Sequence, residues 1–271
     1  MIFMLCGTRD ALELALVLAG QGLPPVASVV TREAAQQLEA VGINTVTGRL
    51  DREGMIAMLR KGGYHAVVDA SHPFAAEAHA NAIAVAAALG LPYFRYERRR
   101  GTYPRHPRLM EVSSYEEAAR TAKALKGSVM LTTGGKTLAI FARELIGDPD
   151  IRLTVRLLPS LENIEKCRTL GIDQRNIIAL QGPFSWEMNE ALYRQYGTQV
   201  MITKESGAEG AVEEKLSAAL EMGIFVILVT RPVMPPIREG GIFDSFEKLA
   251  AAVKAALAAE ASGGAMRFNT K

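Results

Sequence analysis

Apolar residues along the chain fall into two kinds of run. Short, near-continuous ones rich in Val, Ile, Leu and Phe lie at Ile2–Leu5, Val26–Val30, Ala66–Val68 and Tyr93–Arg95. More follow at Val129–Thr132, Arg152–Val155, Ile177–Leu180, Val200–Thr203 and Phe225–Val229. Gly, Pro or Thr bound them, as expected of strands covered on both faces in a parallel sheet. Between them apolar positions recur at helical spacing over Asp10–Ala19, Glu53–Lys61, Phe74–Leu89, Tyr115–Leu125, Glu162–Leu170, Trp186–Tyr196 and Val212–Glu221. A final helix is predicted over Ser245–Ala259. Each is long enough to cross over a sheet, so the alternation predicts an α/β protein.

The rhythm stops at Arg95–Arg108, which reads RYERRRGTYPRHPR and shows no apolar periodicity. This break predicts a first α/β domain over residues 1–96, a basic linker over 97–108 and a second α/β domain over 109–262. Residues 263–271 are predicted to form a flexible tail. No repeat of fixed period occurs, yet both halves share the strand–helix rhythm. Two parallel sheets facing each other across an interdomain cleft are the expected architecture.

Composition narrows the function. Half the residues are hydrophobic (49%) and 22% are charged, which excludes a disordered or fibrous chain. Basic and acidic residues number 31 and 29, a balance that argues against nucleic-acid binding. Cys6 and Cys167, the two cysteines, supply neither a disulfide framework nor zinc-ribbon spacing, so a reducing cytoplasm is the expected location. Met1–Cys6 is short for a signal-peptide core. Ile83–Leu91 falls below the ~20 residues of a spanning helix, and no membrane partner is expected.

Ligands of open α/β sheets bind beyond the carboxyl ends of the strands, so the loops there carry the candidate chemistry. Cys6-Gly7-Thr8-Arg9-Asp10 either lets a phosphate approach a helix start or is a tight turn capped by Thr8 or Asp10. The G-x-G-x-x-G fingerprint is absent. Thr31-Arg32 follows the second strand, where an adenosine ribose lands in dinucleotide folds; Arg32 would suit a 2′-phosphate, and Thr31 would equally cap a helix. Asp69-Ala70-Ser71-His72-Pro73-Phe74-Ala75 sets a hydroxyl and an imidazole at a strand end. No metal site is expected, because His72 and His79 lack a sensibly spaced third ligand. Downstream lie Thr132–Thr137, Gly182-Pro183-Phe184-Ser185 and Thr203-Lys204-Glu205-Ser206-Gly207. Gly135-Lys136-Thr137 is no P-loop, since Met130 stands where the motif requires glycine. No G-x-S-x-G elbow occurs, and Cys6 reads as a packed apolar group.

Taken together, Gly7-Thr8 with Asp10-Ala11, the Val67–Ala75 block, Gly182–Ser185 with Asn189, Thr203–Gly207 and Arg231-Pro232 resemble the precorrin-6A reductase family of cobalamin biosynthesis, its cobalt-precorrin-6A branch included. The likeness runs in order from Ile2 to Pro232, and the Asp-Ala-Ser-His-Pro-Phe-Ala block is its most specific part. The sequence departs from the family pattern at Cys6, where glycine is common, at Ser71, where threonine is frequent, and at Thr31-Arg32-Glu33. The resemblance implies two Rossmann-like domains with NADPH or NADH in the cleft. Hydride would pass to a conjugated tetrapyrrole rimmed by carboxylates. Gly7, Thr8, Arg9, Thr31, Arg32, Ser71, His72, Pro73 and Lys204 would then contact the cofactor. Gly182, Ser185, Lys204 and Ser206 would contact the substrate, with His72 a candidate proton donor. A non-catalytic tetrapyrrole-binding protein and a phosphosugar-type α/β enzyme are the alternatives.

Overall fold

The computed structural model describes residues 1–99, 101–103, 105–205, 212–232 and 241–265, with side chains to 259. In chain order the first elements are β1 (Ile2–Leu5), α1 (Arg9–Gly20), β2 (Pro25–Val29), α2 (Arg32–Glu39), β3 (Asn44–Thr47), α3 (Arg52–Gly62), β4 (Ala66–Asp69), α4 (Ala76–Leu89) and β5 (Tyr93–Tyr96). Then come β6 (Leu109–Val112), α5 (Tyr115–Leu125), β7 (Gly127–Leu131), α6 (Leu138–Leu145), β8 (Ile151–Leu157), α7 (Leu161–Thr169) and β9 (Ile177–Ala179). The last are α8 (Trp186–Gln195), β10 (Val200–Lys204), α9 (Val212–Glu221), β11 (Phe225–Val229), β12 (Ile242–Phe243) and α10 (Phe246–Ala265).

Two six-stranded sheets result, ordered β3-β2-β1-β4-β5-β12 and β9-β8-β7-β10-β11-β6. Every pairing is parallel. The first has the doubly wound order of a dinucleotide-binding sheet, with a switch point between β1 and β4. The second repeats it, with β6 in the sixth position. Both are Rossmann-like.

Alternation along β1 builds the first core. Ile2 and Met4 pack with Leu14 and Leu18 of α1 and Leu249 and Val253 of α10. Phe3 and Leu5 face the other way, onto Met55, Leu59 and Val85. In the second sheet Met130, Met201, Val226 and Leu228 pack with Tyr193 of α8 and Leu216 of α9. Serine, threonine or aspartate caps seven of the described helices, among them Thr8 on α1, Thr31 on α2, Ser185 on α8 and Ser245 on α10.

The structure corrects the expected domain division. One compact unit joins residues 1–99 to those after 232, and the other holds 100–232. The chain thus changes sheets twice, and β12 and α10 belong to the first sheet rather than to a second domain running to 262. Burial is the reason: Leu249, Ala250 and Val253 complete the first core. Of the expected tail, 263–265 continue α10, and 266–271 lie outside the described residues. The pattern did not predict α2, β3, α6 or β6. β3 is a polar edge strand without buried residues, so it lacks the apolar signal. The helix expected from Phe74 begins at Ala76.

Candidate functional site

At the switch point the loops after β1 and β4 lie side by side. Gly7 has φ +144°, a conformation that favours glycine, and open space surrounds the position of an added Cβ. Thr8 then caps α1, its Oγ1 accepting from Ala11 N (3.2 Å) and donating to Ala70 O (3.4 Å). One hydroxyl therefore closes a helix and ties the two loops together. A small pocket opens here, lined by Thr8, Asp10, Ala70, Ser71, Pro73, Tyr96 and Arg98. Asp10 is buried in the first turn of α1 and pairs with Arg98, whose Nη2 donates to Oδ1 at 2.7 Å. The pair leaves the positive end of the helix dipole unopposed by a lone carboxylate.

Beneath the second loop lies a buried polar network centred on Asp69, the last residue of β4. Its Oδ1 accepts from the amide (3.0 Å) and the hydroxyl (2.6 Å) of Ser71. Its Oδ2 accepts from Tyr93 Oη (2.7 Å) and Arg95 Nη1 (3.4 Å), and His79 Nδ1 lies 2.7 Å away. Arg95 Nη1 also touches His79. The opposite edge of that imidazole donates from Nε2 to His72 O (3.1 Å). Burial alone would raise the Asp69 pKa, but the hydrogen bond and charge of His79, the charge of Arg95 and the Ser71 hydroxyl hold it well below the usual carboxylate range. Burial and the nearby Asp69 charge push Tyr93 upward, so it stays a donor.

A model of the family described as precorrin-6x reductase CbiJ/CobK matches residues 1–256. The chain belongs to that family. The cobalt-precorrin-6A reductase of Priestia megaterium is 46% identical over 249 residues, covering 92% of this chain and 96% of its own. The precorrin-6A reductase of Rhodobacter capsulatus is 30% identical over 234 residues, covering 86% and 89%. A solved structure of CobK precorrin-6A reductase superposes with a TM-score of 0.77 at 27% identity, covering 94% of this chain and 96% of its own.

In this chain the predicted residues divide by what they touch. Gly7, Thr8, Ser71, His72 and Pro73 meet around the switch point. The Ser71 hydroxyl, expected to project at the strand end, is turned inward onto Asp69. His72 Nδ1 accepts from Phe74 N (3.2 Å), which shapes the turn before α4. Arg9 points away and pairs with Glu13 at 3.1 Å, its side chain 82% exposed. Thr31 caps α2, accepting from Ala34 N (3.3 Å), and Arg32 stands exposed in the first turn of that helix, beyond β2.

In the second unit Ser185 caps α8, accepting from Met188 N (3.3 Å). A Cβ on Gly182 would come within 3.0 Å of the Phe184 ring. Lys204 ends β10, and burial, then the charge of Lys136, lowers its pKa to about 8. Ser206 lies outside the described residues. Among the described residues no metal-ligating group of three or more His, Cys, Asp or Glu gathers, and no helix is long and apolar enough to cross a membrane.

Sequence reasoning named Asp69 only inside a motif and missed its partners His79, Tyr93 and Arg95. A signal existed. Arg95 is a charge inside an apolar strand, and His79 sits on the buried face of an alanine-rich helix; each needed a buried polar partner.

Proposed function

We propose that the protein reduces precorrin-6A, or its cobalt form, to the 6B form with NADPH or NADH as reductant, and that the dinucleotide binds at the switch point of the first sheet. One observation carries this reading. The strand order sets Gly7-Thr8 and Ser71-His72-Pro73 against each other, tied through Thr8 and Ala70, where a doubly wound sheet takes its ligand. The residues fit the group: open space at Gly7, a helix N-terminus whose buried acid is neutralised, and an exposed arginine beyond β2.

The bound dinucleotide supplies the hydride, and the chain supplies position and charge. Holding two reactants in contact lowers a barrier by on the order of 7–11 kcal/mol, so catalysis of this kind needs little side-chain chemistry. The Asp69 network is the rigid floor for that task, because it fixes the Ser71 amide and the His72 carbonyl from below. His72 fits a positioning role better than that of proton donor. Its Nδ1 accepts from Phe74 N, which ties the ring to the turn before α4. The proton that follows the hydride comes from water or from a pocket acid such as His72. Arg32 meets the adenosine ribose, and a 2′-phosphate there makes NADPH the better ligand. Lys204 and the Gly182–Ser185 loop serve the carboxylate rim of the tetrapyrrole.

Loss of reduced-nicotinamide absorbance on adding precorrin-6A or cobalt-precorrin-6A tests the reaction. A ligand bound without oxidation of the cofactor would instead favour the carrier reading. Arg32→Ala and Lys204→Ala are expected to raise KM for cofactor or substrate more than they lower kcat, the mark of lost uniform binding. Unchanged KM values in both variants would remove that assignment.

A further inference from the structure

The first helix carries an acid where an anion is expected to land. The amides at the start of α1 suit a phosphate. Yet Asp10 puts a carboxylate into that first turn, and it is 2% exposed. Two anions close together repel each other, most strongly where water is excluded. Arg98 resolves the conflict. Its guanidinium lies against the acid as a fork, Nη2 donating to Oδ1 (2.7 Å) and Nε to Oδ2. The arginine side chain is 14% exposed, so the pair is shielded from solvent. Thr8, Asp10, Ser71, Pro73 and Arg98 line one small pocket, which places the pair at the switch point.

The arginine reaches α1 from far away in sequence. Arg98 is 88 residues from Asp10 and belongs to the stretch after β5 by which the chain leaves the first unit at residue 99. Both of its neighbours are tied to the returning segment at β12. Glu97 N donates to Phe243 O (2.8 Å), and Arg99 Nε donates to Asp244 Oδ2 (2.7 Å). A backbone fixed on both sides narrows the directions open to the side chain between them. Arg95, a second buried arginine of this stretch, is engaged with Asp69 and Glu97. The helix therefore supplies the amides, and the exit segment supplies the cation.

We propose that Arg98 sets the affinity of the dinucleotide site by masking Asp10, so that the diphosphate of NADPH or NADH meets a neutral ion pair instead of a bare carboxylate. That role rests on the proposed function, which brings the diphosphate to α1. Arg98 acts through Asp10, as a positioning residue, and not on the reacting atoms. A chain that lacks the G-x-G-x-x-G fingerprint thus has its own means of making a helix start receptive to an anion. The two residues then work in opposite directions: Asp10 opposes binding, and Arg98 cancels that opposition.

A double-mutant cycle tests the mask. NADPH affinity of the full-length protein is measured by calorimetry for wild type, Arg98→Gln, Asp10→Asn and the variant carrying both, with KM and kcat followed alongside. Arg98→Gln should weaken binding by about tenfold or more, the scale of one charged hydrogen bond. It should also raise KM for NADPH more than it lowers kcat. Asp10→Asn should bind at least as tightly as wild type, and the double variant should recover most of the loss. Unchanged affinity in Arg98→Gln overturns the mask. So does a double variant as weak as Arg98→Gln, which would make Arg98 a direct ligand of the diphosphate. Equal falls in kcat and affinity would also overturn it and leave the pair a purely structural one. If Arg98→Gln fails to fold, the double variant is compared with wild type: similar affinity supports the mask, and a loss of about tenfold refutes it. A failed cycle in a protein that binds NADPH and reduces its substrate would defeat this inference and leave the proposed function standing. The expected cycle without reductase activity would do the reverse. A wild type that binds neither NADPH nor NADH would defeat both.

Discussion

Asp69 shows how one residue organises a site that it need not touch chemically. It is fully buried, and each of its oxygens has at least two polar neighbours. Its charge also reaches Cys6, whose thiol is pushed up to about 12, first by burial and then by Asp69; that cysteine is no nucleophile. Asp69→Asn would leave buried Arg95 with only Glu97, 3.3 Å from its Nε, as counter-charge, so urea denaturation should show a loss of about 3 kcal/mol. Wild-type stability in that variant would refute the network. The pH dependence follows from the depressed carboxyl. Its stabilisation is present above the unfolded-chain value near ~4 and drains as pH falls below it toward the folded value. Wild-type protein should therefore lose stability more steeply than Asp69→Asn below about pH 4.

Among the elements, α10 carries the clearest consequence. It follows the second unit in sequence yet buries Leu249, Ala250 and Val253 against the first sheet, where α1 also packs. Leu249→Ala should cost about 2–5 kcal/mol in denaturant unfolding, the range for a large-to-small change in a closed core. A value near zero would mean that the helix contributes nothing to that core. In the second unit β10 and α9 bring Lys204 and Lys215 together, and both have folded pKa values of about 8 against an ordinary 10.5. Below pH 8 the cost of two half-buried charges is fully present. Between the folded and unfolded values the unfolded chain binds more protons, so stability rises with pH. Thermal melts should show that rise in wild type and a smaller one in Lys215→Met.

For the whole molecule, the two sheet changes decide which pieces can stand alone. Residues 100–232 hold all six strands of the second sheet. Residues 1–99 lack β12 and α10, so the fragment would expose the apolar face of α1 that Leu249 and Val253 cover. Expressed separately, 100–232 should unfold cooperatively in urea. The 1–99 fragment should aggregate or bind hydrophobic dye, and joining it to 241–265 through a flexible linker should restore order. A cooperatively folded 1–99 would contradict this account of the core.

The local patterns were legible in one dimension. Apolar runs announced the central strands and helical spacing most of the helices. Thr8 and Thr31 cap as their residue type allows, and the Asp69–Ala75 block pointed to the family and to a loop at a strand's carboxyl end. Each of these depends on residues close together in the chain. The rest depended on the fold bringing distant residues together. Asp69 meets partners 10, 24 and 26 residues away, and Arg156 meets Asn189 at a separation of 33. β12 is two residues long, too short to carry any periodicity, and only its pairing with β5 makes it a strand. Periodicity records which face of an element is apolar, whereas the choice of partner is made by burial and pairing once the chain has folded.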